Sequence, residues 1–296
     1  MRIAFDVRKL NDFGIGTYIR NLILNLAQLD QDSEYLLVGR ERDKAELGAL
    51  PANFSYLLDH TQESGFWNDF VLPYRLEKRG VQILHTPHYR SPRFLRCKSI
   101  ITIHDCVHIL FPNYASSKSA YDQARKTTRR TIKQSSHILT VSEATQRDLM
   151  RLFSIPEEKI TVVHNAIDER AVLTSDVEEQ KRVLERYQIQ DPFLLYAGNI
   201  KPHKNIARLI EAFSVLKTEL KENETWKNLK LLIIGDELSK HQFLRRTVIR
   251  SGVQHDVRFF GYVPYETLKV FYKSAEIFAF PSLYEGFGLP VVEAML

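Results

Sequence analysis

The sequence predicts an α/β chain built from two parallel-sheet domains, and three observations carry that expectation. Short aliphatic or β-branched runs alternate with amphipathic stretches almost from end to end, as βαβ units do when their strands are buried on both faces. The 296 residues amount to two domains at roughly 150 residues each. A polar, charge-rich stretch around residues 170–190, including TSDVEEQKR, separates two series of such runs. Two Rossmann-like halves, residues 1–172 and 173–296, are the organisation expected.

Strands are expected at Arg2–Val7, Tyr35–Gly39, Phe54–Asp59, Val81–His85, Ser99–His104, His137–Ser142 and Lys159–His164. The clearest helix follows Thr17, where Ile19, Leu22, Ile23, Leu26 and Leu29 recur at helical spacing. The second series runs through Phe193–Gly198, Leu229–Gly235, Val257–Gly261 and Glu276–Pro281. A last helix begins near Pro290 and the sequence stops a turn later, so the second half is expected to be incomplete.

Composition narrows the class without naming a function. Apolar residues at 44%, charged residues at 26% and a net charge of +5 are ordinary for a globular chain. No apolar run approaches the ~18 residues of a membrane-spanning helix. Asp6 and Arg8 stand where a secretory leader needs an apolar stretch, so none is expected. Cys97 and Cys106 have neither zinc spacing nor the density of a disulfide framework. A reducing compartment, the cytoplasm, is expected.

Four segments can carry chemistry. In Asp12-Phe13-Gly14-Ile15-Gly16-Thr17, glycines at a strand-to-helix turn let backbone amides approach an anion; a tight turn without ligand reads equally well. Thr102-Ile103-His104-Asp105 ends an apolar strand, on the side of an open α/β sheet that faces ligands; the alternative is Asp105 as a helix cap beside a bystander histidine. His85 and His88 end the preceding strand in the same way, but three histidines without a carboxylate cluster make a poor metal site. In Gly198–Asn205, Lys204 stands near a helix start, placed to offset a diphosphate. The fourth segment, PSLYEGFGLPVVEA, presents Glu285 in a glycine-rich turn and Glu293 in the helix after it. Carboxylates accept charge-assisted bonds from vicinal hydroxyls, but an isolated pair of this kind reads more readily as two surface glutamates.

Taken in order, MRIAFDVRKLNDFGIGTYIRNL, ITIHD, YAGNIKPHKN, FFGYV and PSLYEGFGLPVVEAM resemble the retaining GT-B glycosyltransferases of family 4, in particular mannosyltransferase-like enzymes of bacterial surface polysaccharides. The Glu-x7-Glu motif ending at Glu293 is the specific part. The resemblance implies two Rossmann-like domains facing each other across a cleft, the first binding the acceptor and the second the nucleotide-sugar donor. It implies that Gly16 offers its amide to the donor phosphate and that His104 approaches the transferred sugar. Lys204 would hold the diphosphate, Glu285 the sugar hydroxyls, and the amides of Phe287 and Gly288, after Gly286, the sugar and phosphate. Glu293 would bind the ribose, and the backbone of Gly261, Tyr262 and Val263 would border the base. No metal and no cofactor beyond the nucleotide-sugar are expected. Asn199 stands where many relatives have a basic residue, which leaves the diphosphate to Lys204 alone.

Residues 71–133 hold thirteen Lys or Arg against three acidic residues. Within them Arg125, Lys126, Arg129, Arg130 and Lys133 are spaced to share a helix face, suited to an anionic leaflet or a lipid diphosphate. Nucleic acid is not expected, because aromatic platforms do not interleave with these basic residues. The function expected is transfer of a hexose, mannose preferred and GDP-mannose as donor, to a lipid-linked or oligosaccharide acceptor in polysaccharide synthesis, with peripheral attachment to the cytoplasmic leaflet. Alternatives are a nucleotide-sugar epimerase, a sugar-phosphate synthase, or an inactive nucleotide-binding remnant. A nicotinamide dehydrogenase is disfavoured, since neither half has the complete glycine fingerprint.

Overall fold

The computed structural model describes residues 1–12, 14–59, 65–167, 176–235 and 241–296. Two compact units compose it, Met1–Asp168 and Glu169–Leu296. The division at 172/173 expected from the sequence lies outside the described residues.

In the first unit, β1 (Arg2–Asp6), β2 (Glu34–Gly39), β3 (Phe54–Leu58), β4 (Ile83–Thr86), β5 (Lys98–Ile103), β6 (His137–Thr140) and β7 (Ile160–Val162) form one sheet in the order β3-β2-β1-β4-β5-β6-β7. Its pairings are parallel. The period of two along each strand sorts the core into two layers. Tyr35 and Leu37 join Phe5 and Phe54 on one face, while Leu36 and Val38 join Ala4, Leu57 and Leu84 on the other. Helix α1 (Ile15–Leu29) covers the first face with Tyr18, Ile19, Ile23 and Ala27. After α2 (Glu41–Leu47), a π-helical turn, Trp67–Val71, leads into α3 (Leu72–Lys78), which covers the second face with Leu72 and Leu76. Leu29, expected on the apolar stripe, is 81% exposed; as the last helical residue it lies where the chain turns out at Asp30, whose N–H closes the helix on the Leu26 carbonyl.

The short α4 (Val107–Leu110) is followed by α5 (Lys118–Gln134) and α6 (Glu143–Phe153). The Ser117 and Ser142 side chains accept the N–H groups of Ala120 and Thr145 at the starts of α5 and α6, satisfying donors that a helix start leaves unpaired.

The second unit holds β8 (Phe193–Ala197), β9 (Lys230–Ile234), β10 (Val257–Phe260) and β11 (Ile277–Phe278) in the order β10-β9-β8-β11, again parallel. Helices α8 (Ile206–Glu219) and α9 (Gln242–Arg250) cover one face, and α7 (Val177–Arg186) and α10 (Tyr265–Ser274) the other. Residues 177–186, read from sequence as part of a connection, are therefore a helix of this unit. Asp176 caps it by accepting the Glu179 N–H, and Val183 and Leu184 pack on the core. Its charges hid the apolar stripe. A final helix, α11 (Leu289–Ala294), follows a left-handed Gly288.

Candidate active site

In an open parallel sheet, ligands bind outside the carboxyl ends of strands where the order reverses. In the second unit that reversal lies between β8 and β11. The turn after β8 and the segment after β11 are laced together there: the Leu283 N–H donates to the His203 carbonyl at 2.8 Å, and Asn205 Nδ2 to the Pro281 carbonyl at 3.3 Å. Across the seam, Lys204 Nζ donates to Glu285 Oε1 at 2.6 Å, with the two side chains 13% and 23% exposed. The ammonium also stands 5.6 Å from the centre of the Phe280 ring. Two residues assigned separate roles from sequence are thus a contacting ion pair.

The surrounding groups are neutral donors and acceptors. Tyr196 donates its hydroxyl to the Asn199 carbonyl at 2.9 Å. Burial, reinforced by the negative Glu285, raises its pKa and keeps it protonated. Asn199 Oδ1 and Ser282 Oγ are buried without a hydrogen-bond partner, which costs folding energy. Gly235 at the end of β9 is sterically required, since a Cβ would come within 3.0 Å of the Gly198 carbonyl oxygen.

Glu293, on α11, accepts the Tyr272 hydroxyl at 3.1 Å. Burial first, and Glu293 second, hold the Tyr272 hydroxyl in its protonated form. Sequence reasoning missed Tyr272, because nothing local to residue 272 points to a partner 21 residues away. Gly286, Phe287 and Gly288 lie between Glu285 and α11. Gly261, Tyr262 and Val263 follow β10, two strands from β8. Tyr262 is exposed, while the Val263 side chain is committed to the core.

In the first unit the strand order reverses between β1 and β4, and the expected His104 follows β5 at the same sheet edge. His104 Nε2 lies 3.1 Å from the Pro87 carbonyl, which only accepts, so Nε2 carries the proton. The ring meets Tyr18 edge-on at 5.0 Å. Tyr18 Oη, Thr102 Oγ1 and His85 Nε2 form a buried chain of 2.9 and 2.8 Å hydrogen bonds. Asp105 accepts the N–H of Val107, the first residue of α4, at 2.9 Å, while Cys106 occupies the cap position. Among the described residues, no three His, Cys, Asp or Glu are grouped to hold a metal.

Burial pushes His85 and His88 down to about 3 and His104 down to about 4. An unfolded chain, with histidines near 6.5, binds these protons more readily. The stability from neutral burial is therefore complete above about pH 6.5 and is lost as pH falls towards 4, by up to about 1.4 kcal/mol per histidine per pH unit. Urea unfolding at pH 7.5 and pH 5.0 is expected to show a clear loss at the lower pH; equal stabilities would contradict these assignments.

Gly16 requires a correction. It is the second residue of α1, and its N–H donates to the Asp12 carbonyl at 2.6 Å, so the amide is not open to a phosphate. A Cβ at this position would come within 3.0 Å of the Leu10 carbonyl oxygen. The close backbone approach expected here is real, but the approaching group is the chain's own carbonyl. Gly16→Ala is expected to cost about 2–3 kcal/mol of stability. Gly14→Ala, at φ +69° and ψ −53° with open space around it, should cost about 1–3 kcal/mol through backbone strain alone. Thermal unfolding of both variants checks the two values.

A group sequence reasoning overlooked lies beneath this edge. Arg8, after β1, reaches Asp6 through Nε at 2.9 Å and Nη2 at 2.6 Å, Asp59 through Nη1 at 3.1 Å, and Asn68 through Nη2 at 3.0 Å. All four residues are buried. Burial raises the Asp6 carboxyl, but the Arg8 guanidinium outweighs it and holds the pKa below the ordinary value. The adjacency of Asp6 and Arg8 was visible in the sequence; Asp59 and Asn68 were not connected to them by any local signal.

Comparison with known proteins agrees with this architecture. Residues 14–171 match the profile of Glycosyltransferase Family 4, and residues 176–296 that of Glycosyl transferases group 1. The O-antigen chain mannosyltransferase B of Escherichia coli is 32% identical over 72% of this chain and 54% of its own. The O-antigen chain mannosyltransferase RfbU of Salmonella typhimurium is 26% identical over 72% of this chain and 53% of its own. The chain thus spans about half the length of these curated relatives. In fold, it superposes on Anabaena Alr3699/HepE, solved with UDP-glucose, at a TM-score of 0.73 and 16% identity, covering 100% of this chain and 78% of that one. With two doubly wound units in the GT-B pattern and a family profile spanning the first of them, the chain belongs to glycosyltransferase family 4.

Proposed function

We propose that the protein transfers a hexose, mannose by preference and from GDP-mannose, to a lipid-linked or polysaccharide acceptor with retention of configuration. The observation that carries this reading is the Lys204–Glu285 pair at the strand reversal of the second unit. Lysine has three N–H donors; with one on Glu285, two are left for diphosphate oxygens, and the pair is pre-set before donor arrives. As the nucleoside diphosphate leaves, negative charge grows on it and the sugar becomes oxocarbenium-like. Lys204 stabilises that charge where it develops, a task that in this reading requires no metal ion. Glu285 accepts sugar hydroxyls, as do the unpartnered Asn199 Oδ1 and Ser282 Oγ, with the amides of Phe287 and Gly288 beside them. Glu293, steadied by Tyr272, takes the ribose, and the Gly261–Val263 backbone borders the base. His104 stays neutral and meets the transferred sugar as a hydrogen-bonding group, not as an acid. Retention follows from same-face attack, the departing phosphate accepting the acceptor's proton.

Calorimetry with GDP, UDP and dTDP tests the donor half. One nucleotide is expected to bind, and Lys204→Ala and Glu293→Gln are each expected to weaken it about tenfold or more. Binding of none, or binding indifferent to both substitutions, overturns the site.

Attachment to the cytoplasmic leaflet is part of the same proposal. Among the described residues no helix is long and apolar enough to cross a membrane. On α5, Arg125, Lys126, Arg129 and Lys133 are exposed, and each adds about 1 kcal/mol near an anionic surface. Arg130 departs from the expected set: it is half-buried, with Nη2 donating to the Ser91 carbonyl at 3.3 Å.

A further inference from the structure

The first unit carries a row of aromatic side chains that the site does not use. Phe66, Trp67, Phe70 and Phe94 are 67%, 59%, 48% and 54% exposed. They are contiguous: Phe66 stacks on Phe70 at 5.0 Å, Phe70 on Phe94 at 4.5 Å, and Trp67 meets Phe66 edge-on at 6.4 Å. Single exposed apolar residues need no explanation, but a contiguous aromatic patch marks an interaction surface. The row is also held rigidly. Arg93 closes on Asp69 through its backbone N–H at 3.2 Å and its Nε at 3.0 Å, joining the loop that bears Phe94 to the π-helical turn. Asn68 anchors that turn to the buried Arg8.

Among the described residues, the charged groups that border it are mainly basic. The Gln134 side chain of α5 donates to the Arg93 carbonyl at 3.1 Å, and Arg130 to that of Ser91, so the basic face of α5 borders the aromatic row. Lys78 lies 4.8 Å from the centre of the exposed Tyr74 ring. Asp69 is largely shielded and already paired with Arg93. The aromatic residues not expected beside the basic helix are therefore present. Phe70, however, is stacked between Phe66 and Phe94, so both of its faces are already covered. Bases stack on open faces, whereas edges and ring bodies suit the headgroup region of a bilayer.

We infer that Phe66, Trp67, Phe70 and Phe94 insert into the interface of an anionic leaflet, with Arg93 and the α5 basic face rimming the inserted patch. The inference rests on the peripheral reading above for the sign of the surface, but on different residues and a different force. The aromatic part should survive salt that screens the charges.

The test uses this chain with Trp226→Phe, a substitution in the partly buried Trp226 of the second unit that leaves Trp67 as the sole tryptophan. Vesicles of phosphatidylglycerol and phosphatidylethanolamine, with and without acyl-brominated lipid, are added at 0.1 and 0.5 M NaCl. Trp67 emission is expected to shift blue and to be quenched by the brominated chains at both salts. Phe70→Ser and Phe94→Ser are each expected to weaken partitioning at least about tenfold, with thermal unfolding unchanged. Arg129→Glu with Lys133→Glu should weaken binding at low salt only. Binding without quenching that vanishes at 0.5 M NaCl would leave the charged attachment standing and overturn the insertion. Absence of binding to vesicles overturns both, while nucleotide calorimetry reports on the donor site independently. Trp67 emission already blue and shielded from iodide without lipid would mean that polypeptide covers the row, and displacement of vesicles by oligo(dT) would mean that nucleic acid does; either result overturns the inference.

Discussion

Lys204→Ala is expected to lower kcat for sugar transfer by about 10²–10³-fold, the cost of removing one pre-positioned stabiliser of transition-state charge. The effect on the donor KM should be smaller, because the charge that Lys204 offsets is largest as the nucleoside diphosphate departs. The substitution also strips Glu285 of the ammonium 2.6 Å away. Residues in direct contact couple strongly. Lys204→Ala combined with Glu285→Gln should therefore cost much less than the product of the two single losses. Steady-state transfer, measured with the nucleotide-sugar whose base calorimetry identifies, decides it. A kcat for Lys204→Ala within threefold of the parent would remove Lys204 from the reaction.

Arg8→Met is the second large expectation, and it concerns folding. The Arg8 side chain is 1% exposed, and Asp6 and Asp59 at 3% and 4% share it. Breaking a buried ion cluster by deleting its cation leaves uncompensated carboxylates, at a cost of about 3–5 kcal/mol. Arg2→Ala, which removes the exposed pair with Glu34, serves as the contrast, at no more than about 1 kcal/mol. Because the Asp6 pKa is lowered on folding, its contribution is present above the ordinary carboxylate range and is lost as pH falls through the lowered value. Raising pH should not rescue Arg8→Met, since ionised Asp6 then lacks its partner. Urea unfolding of the parent and of Arg8→Met from pH 8 down to pH 3 checks both statements.

The difference between these residues shows what a sequence reveals. Strands β1, β2, β5, β8 and β9 were plain because a strand covered on both faces reads as a continuous apolar run. Helix α7 was misread as a connection because six of its ten residues, VEEQKRVLER, are charged, and Val183 and Leu184 are outnumbered. Strand β11 was drawn too long, at Glu276–Pro281, because regular pairing with β8 is limited to Ile277 and Phe278. At the candidate site, Lys204, Glu285 and Glu293 are singled out by the family resemblance more than by local chemistry, which leaves the two glutamates readable as surface residues. That Lys204 touches Glu285 could not be read from the sequence, because the chain order of β8 and β11 does not disclose that they are neighbours. Arg8 looked like an ordinary cation until the fold brought Asp59 and Asn68 to it. Phe66, Trp67 and Phe70, a spacing that usually marks a buried helical stripe, gave no sign of facing outward.

The lacing of the turn after β8 to the segment after β11 has a consequence for the order of events in folding. Residues 81 positions apart must meet before the Lys204–Glu285 pair exists, and closing such a separation comes late relative to local helix and turn formation. A chain emerging from the ribosome can close the β8–β9 pairing well before Glu285 is synthesised. It presents Lys204 without Glu285 until β11 docks beside β8, so the pair proposed to hold the donor is completed in one late step.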